Sequence, residues 1–350
     1  MKGLVLAGGK GSRLRPFTYS GAKQLVPIAN TPVLHFPIRQ LVEAGITDIG
    51  IVVGENGDQI RAAMADGSAF GARFTYISQP DPLGLAHAIA TARPFLAEDP
   101  FIMYLGDNVI VGGIRHFVDA FAASGEPAVI VKPVDDPSAF GVARIQDGRI
   151  VHVEEKPADP ASNLAVIGVY AFGPAVFDVI AAQRPSARGE LEIADTINGL
   201  AAIGPVRAET TSAAWIDTGK MDDMLAANRT ILATLPGEID AGATIANTTC
   251  AGEVIIAAGA VVDSCALTGP VTIASGARVL DSRIGPDVAI GPRSLVERSS
   301  LVDAIVMEDA VVVDCPGVAH SMVGRFAHVC GAPAGARLTL GDHSRIEARE

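Results

Sequence analysis

The chain has 350 residues, more than a single hydrophobic core usually serves, so two domains are expected. Hydrophobic residues make up 49 % and charged residues 19 %, with no low-complexity tract, which excludes a disordered chain. The net charge of -12 repels nucleic-acid backbones and anionic membrane surfaces at long range, which leaves a small anion in a local basic pocket as the charged partner that composition allows. No stretch of 18 unbroken apolar residues occurs, so the expectation is a cytoplasmic protein with no membrane and no nucleic acid as partner.

In chain order, the apolar run KGLVLA predicts a strand that leads into the bend LAGGKGSRLRP, residues 6–16. Gly9-x-Gly11 is followed by Leu14, which breaks a dinucleotide fingerprint, and no G-K-[ST] ending marks a P-loop. Glycines let backbone N–H groups approach a phosphate, and Arg13, Arg15 and Lys23 stand close behind them. That set suits a triphosphate; the other reading is a plain strand-to-helix turn with solvated cations. VLHFPIRQLVEAG predicts a helix stopped by Gly45, and DIGIVV and FTYIS predict strands.

In QPDPLGLAHAI, Gln79 offers a donor beside an acceptor, which complements the O4 and N3–H edge of a pyrimidine, and Gly84 lets the backbone touch a flat base. A simple turn into the helix GLAHAIATARPFL is the alternative. FIMYLGDN predicts a strand ending in Asp107 and Asn108, and AAWIDTG one ending in Asp217. Ligands collect at carboxyl ends of strands in open α/β sheets, so two such carboxylates could share one Mg²⁺ with phosphate oxygens; helix caps or turns are the plainer role. PAVIVKP, the hairpin-like GVARIQDGRIVHVEEKP and LAVIGVYAFG complete an α/β order with a mostly parallel sheet. Adjacent residues on a strand face opposite ways, so Glu154 and Glu155 cannot form an acid/base dyad, which disfavours a glycosidase.

The texture changes at Pro236–Glu238, and the expected domains are 1–236 and 237–350. Apolar residues then recur six apart, as in Ile256 and Val262, Ile273 and Val279, and Ile284, Ile290, Val296 and Val302, with a five-residue break between Val279 and Ile284. That period predicts a parallel β-helix running from Ile239 to the early 310s, with an Ala/Gly-rich sandwich as the alternative. Cys250, Cys265, Cys315 and Cys330 form no CxxC pair and are expected as buried free thiols. The seven histidines share no metal-binding spacing. His320 and His328 raise the rival idea of a general base for acyl transfer, against which solvated or packed histidine is preferred.

LAGGKGSRLRPFT followed by KQLVPI resembles the signature of the sugar-1-phosphate nucleotidyltransferases, and the later motifs are similar to the longer glucose-1-phosphate thymidylyltransferases over nearly the whole length. Ser12 stands where the family usually has Thr, and Ala22 where it often has Ser. The resemblance implies a Rossmann-like α/β domain followed by a left-handed parallel β-helix of hexapeptide repeats. It implies transfer of a thymidylyl group from dTTP to glucose 1-phosphate, giving dTDP-glucose and pyrophosphate for deoxysugar synthesis. Nucleotide contacts are implied at Leu6, Ala7, Gly8, Gly9, Gly11, Ser12, Arg13, Lys23, Gln24, Gln79, Gly84 and Asp107. Sugar-phosphate contacts are implied at Asn108, Gly141, Glu155, Lys156, Val166, Tyr170 and Arg188. Catalysis falls to Arg13, Lys23, Asp107 and Asp217, the two aspartates holding Mg²⁺. If VEEKP is strand, a bend or bulge must let Glu155 and Lys156 act together. A homo-oligomer is also implied. A uridylyltransferase is one alternative, because thymine and uracil share the edge Gln79 would read. A bifunctional amino-sugar acetyltransferase is another, disfavoured because so short a repeat zone leaves few coils.

Overall fold

The computed structural model describes residues 1–347. Its contacts divide the chain into two compact units, one of Met1–Lys10 with Leu34–Trp215, the other of Gly11–Val33 with the chain from Ile216 onward.

The first unit is built on a nine-stranded sheet. The strands Arg73–Ser78, Asp48–Val53, Lys2–Ala7 and Phe101–Leu105 lie side by side and parallel. Leu164–Phe172 joins antiparallel, and the remaining strands, Ala128–Pro133, Arg207–Thr210, Arg149–Glu155 and Gly141–Gln146, are mixed. The inner parallel strands Asp48–Val53, Lys2–Ala7 and Phe101–Leu105 are almost wholly buried, as strands covered on both faces are, whereas the edge strand Arg73–Ser78 is more polar and exposed. Leu4, Leu6, Phe101, Met103 and Phe172 are buried in the resulting core, each contributing about 1.5–3 kcal/mol by leaving water.

Local chemistry sets the turns. Asp147 and Gly148 both have positive φ, 50° and 73°, the primed turn that suits a two-residue hairpin. The stretch GLAHAIATARPFL is not one helix: it breaks at Ala92 into Leu85–Thr91 and Arg93–Leu96. Pro94 has no N–H to donate into the preceding turn, so the two pieces cannot be continuous.

In the second unit, Glu238–Ile239 opens three faces of parallel strands that run to Arg345–Glu347, a fold consistent with a left-handed β-helix. Stacked along one face, Val254, Val271, Val288, Ala304 and Ser321 pair at steps of 17, 17, 16 and 17 residues. A coil therefore takes about one residue fewer than three hexapeptides, and the five-residue break recurs in every coil instead of marking one irregular turn. At the short corner Asn247, Ser264, Asp281, Arg298 and Asp314 all have positive φ, and such left-handed residues let the chain turn within a single position.

The recurring break corrects two expectations. Leu301, 1 % exposed, is the inward residue after Val296, and Val302 is 39 % exposed. The coils also continue past the early 310s, through His328–Cys330 and Thr339–Leu340. Of the four cysteines, Cys265 and Cys315 are buried free thiols as expected, whereas Cys330 is half-buried and Cys250 is exposed. Cys250 occupies the first coil, which pairs only with the coil that follows it among the described residues, so its inward position lacks cover on one side. No helix of the described residues is long and apolar enough to cross a membrane.

Candidate active site

In the first unit, three neighbouring parallel strands end at Ala7, Val53 and Ser78, and the residues just beyond them form a cavity of about 320 Å³, lined by Gly8, Lys10, Gly54, Glu55, Gln79, Pro80 and Pro82. Backbones meet closely there: a Cβ on Gly54 would lie 2.7 Å from the Gly8 carbonyl oxygen, so only glycine fits. Gln79 is buried, and its Nε2 lies 2.8 Å from His87 Nδ1 and 3.4 Å from the Gly84 carbonyl oxygen. The predicted pair Gln79 and Gly84 is therefore brought together. His87 and Lys10 were not among the expected site residues. His87 could have been found by placing the helix start at Leu85, which turns its third residue back toward Gln79.

The residues expected at the sugar phosphate also lie in this unit, and Gly141, Glu155, Lys156, Val166 and Arg188 are neighbours there. A Cβ on Gly141 would lie 3.3 Å from Glu155 Oε2 and 3.9 Å from Val166 Cβ. The required bend occurs at Lys156, whose φ of 48° leaves the strand path, and its Nζ lies 3.6 Å from Glu155 Oε1. Arg188 forks onto Glu192, with Nε and Nη2 at 3.1 and 2.8 Å, and its Nη2 lies 3.5 Å from Glu155 Oε1. These acids, Glu192 foremost, hold the Arg188 guanidinium even more firmly protonated than usual. Asn108 Oδ1 accepts from Trp215 Nε1 at 2.6 Å, while its Nδ2 donates to Asp107 Oδ1 at 3.0 Å. Tyr170 differs from expectation in being a core residue. It is 3 % exposed and stacks on Phe172 at 5.9 Å, and burial, then the Glu155 charge, pushes its phenol well above the usual range. An inward position on a strand covered on both faces leaves its ring in the core.

The cationic part of the opening bend belongs to the second unit. Gly11, with φ 63°, starts a short 3-10 turn over Ser12–Leu14; a Cβ on it would lie 2.8 Å from Lys23 Cβ. Thr18 Oγ1 donates to the Gly11 carbonyl at 2.7 Å and closes the bend. Lys23 is 5 % exposed, and its Nζ stands 3.9 Å from Asp217 Oδ1, with Arg13 Nη2 also 3.9 Å from Asp217 Oδ2. Three of the four residues expected to be catalytic are thus neighbours, Arg13 and Lys23 meeting at the Asp217 carboxylate. Gln24 is 2 % exposed, and its Oε1 has no hydrogen-bond partner, so a ligand donor could satisfy it. Asp223 caps the helix Met221–Leu232 by accepting from Lys220 N at 2.9 Å. Burial pushes the Asp223 carboxyl above the usual carboxylate range, opposed by the Lys220 N–H bond and by the nearby Lys220, Arg13 and Lys23 charges.

Glycines at close backbone approach, clustered cations and a cavity at the carboxyl ends of parallel strands are each features of enzymes that handle nucleotides. Residues 2–234 match the Nucleotidyl transferase family, and the chain belongs to that family and is a nucleotidyltransferase. It is 44 % identical to the glucose-1-phosphate thymidylyltransferase of Streptomyces griseus and 42 % identical to that of Streptomyces antibioticus, each alignment covering 99 % of both chains. These full-length matches make it a member of the long form with a C-terminal extension. Among solved structures it is similar to a Bacillus anthracis protein described as a glucose-1-phosphate thymidylyltransferase, crystallised with sucrose, at TM-score 0.64 and 37 % identity over 68 % of this chain and 98 % of that one. A UDP-glucose pyrophosphorylase bound to UDP-glucose is similar at TM-score 0.61 and 25 % identity over 67 % of this chain and 99 % of that one.

Proposed function

We propose that the chain joins a thymidylyl group from dTTP to glucose 1-phosphate, releasing pyrophosphate and giving dTDP-glucose for deoxysugar synthesis. The observation that carries this reading is the convergence of Arg13 and Lys23 on Asp217 beside the glycine bend, in a chain whose full-length relatives are named for this activity. The phosphate of the sugar is already an anion and attacks the α-phosphorus in line, so no general base is needed. What the side chains must supply is alignment and neutralisation of charge.

Arg13 steadies the departing pyrophosphate, and Lys23 and Lys156 hold the two reacting phosphates. Asp107 and Asp217 are the residues that would hold Mg²⁺; their hard carboxylate oxygens fit a cation that takes few protein ligands and completes its shell with phosphate and water. Bound there, the ion would draw charge from the α-phosphate. Gln79 reads the base edge. Thymine over uracil turns on one methyl group, about 1 kcal/mol in an apolar pocket, so uridylyl transfer is the competing reading and the pyrophosphorylase likeness favours testing it. The deciding experiment is pyrophosphate release from a panel of triphosphates and sugar 1-phosphates, with and without Mg²⁺. Release with dTTP and glucose 1-phosphate is expected, and its failure with every pair would overturn the reading.

For the sugar side, Lys156→Ala should raise KM for the sugar phosphate about tenfold, the worth of one charge-assisted hydrogen bond, with the nucleotide KM unchanged. An effect confined to the nucleotide would contradict the assignment.

We also propose a homo-oligomer, supported by the first coil. Glu238–Ile239, Thr244–Ala246 and Thr249–Ala251 each pair on one side only among the described residues, and Ile239 is about half exposed. Three open strand edges in one coil are matched by the same edges of a second copy. Ile239→Asp should lower the mass measured by sedimentation; a wild-type monomer would sink the idea.

A further inference from the structure

The β-helix does more in this unit than extend the chain: it grips the segment that carries Arg13 and Lys23. Arg325 lies in the coils beyond the early 310s. Its Nη2 donates to the Leu25 carbonyl at 2.9 Å, two residues past Lys23. The guanidinium is itself fixed, with Nε donating to Glu308 Oε1 at 3.0 Å and Nη1 3.8 Å from Asp342 Oδ2. Asp342 takes a second role, accepting from Ser20 Oγ at 2.7 Å through Oδ2 and from Arg325 N at 2.8 Å through Oδ1. Lys23 is therefore bracketed by anchors at Ser20 and Leu25 that both lead to one Arg325–Asp342 pair.

The grip continues along the segment. Asn228, fully buried, accepts from Ala29 N at 2.8 Å and donates to the Asp287 carbonyl at 3.1 Å, and Asn30 Nδ2 donates to the Ile290 carbonyl at 3.0 Å. Ala29 is thus tied to a coil through Asn228 of the helix Met221–Leu232, and Asn30 is tied to a coil directly. A loop tied only at its ends would lose chain entropy whenever it ordered on a ligand, whereas one tied at four interior points has already lost it.

We propose that Arg325 and Asp342 are positioning residues for nucleotidyl transfer, holding the Lys23 segment in its phosphate-binding shape, so that the β-helix contributes to nucleotide use without touching the nucleotide. This rests on the assignment of Lys23 to the triphosphate. It accounts for residues in the last coils being drawn into the same unit as the opening bend.

The test compares Arg325→Ala, Asp342→Ala and Arg325→Lys with wild type in steady-state kinetics, calorimetric nucleotide binding and thermal melting. Loss of the Arg325 bond should raise KM and Kd for the triphosphate about tenfold while KM for the sugar phosphate moves less than about twofold, because only one of the two substrates meets the loop. Arg325→Lys should recover part of the loss. Unchanged nucleotide KM and Kd in both alanine variants would overturn the proposal, as would parallel rises for both substrates accompanied by a fall in melting temperature, the pattern of a merely structural role. If wild type releases no pyrophosphate from any pair, the functional reading fails, and calorimetric nucleotide binding by the same variants still decides the positioning role.

Discussion

Asp217→Asn is expected to leave a folded protein whose turnover falls on the order of 10³-fold, about 4 kcal/mol of lost transition-state stabilisation. The amide occupies the same volume as the carboxylate, so packing around the half-buried side chain is retained. What disappears is one negative charge at the point where Lys23 and Arg13 both stand 3.9 Å away. On the proposed reading the cations then lack their balancing charge when a triphosphate binds, and one of the two carboxylates proposed for Mg²⁺ is gone. Pyrophosphate release as a function of Mg²⁺ concentration, with a melting curve on the same sample, measures the effect. Near-normal turnover at ordinary Mg²⁺ would remove Asp217 from the mechanism.

Gly84→Ala should have the next largest effect, through the backbone. Gly84 has φ 107°, and a Cβ there would lie 2.4 Å from the Leu191 carbonyl oxygen. That carbonyl cannot withdraw, because it accepts from Ala86 N at 3.2 Å while Leu191 N donates to the Leu83 carbonyl at 2.8 Å. The segment must shift, costing about 3 kcal/mol of strain and clash together, and the shift carries the Gly84 carbonyl away from Gln79. A lowered melting temperature together with a nucleotide KM raised about 100-fold is expected, the latter from losing the base-reading geometry. Because the variant could fail to fold, Gln79→Ala serves beside it: its nucleotide KM should rise with little change in melting. If both variants keep the wild-type KM, the base lies elsewhere.

The elements were legible where one period dominated. KGLVLA and DIGIVV are strands because parallel strands covered on both faces must be apolar throughout, and Asp147-Gly148 is a hairpin turn because those residues tolerate positive φ. The β-helix is legible in its six-residue steps, but the same steps place Val302 inward, where the structure has Leu301. A count along the chain carries no information about which corner is tightened by a left-handed residue, and one slipped position exchanges inside for outside. Arg325 and Asp342 carry no local motif at all: their partners Leu25 and Ser20 are about 300 residues away.

By itself the sequence determined which chemistry is available: glycines that admit close backbone approach, cations suited to phosphate, carboxylates at strand ends, and a six-residue aliphatic repeat that suits a parallel β-helix. Those are properties of residue type and short spacing, which a linear chain displays directly. Tertiary structure alone decided that Lys23 is buried against Asp217, that Tyr170 belongs to the core, and that the last coils fasten the loop bearing Arg13. Each is a contact between distant segments, set by how whole elements pack and therefore invisible to any local pattern.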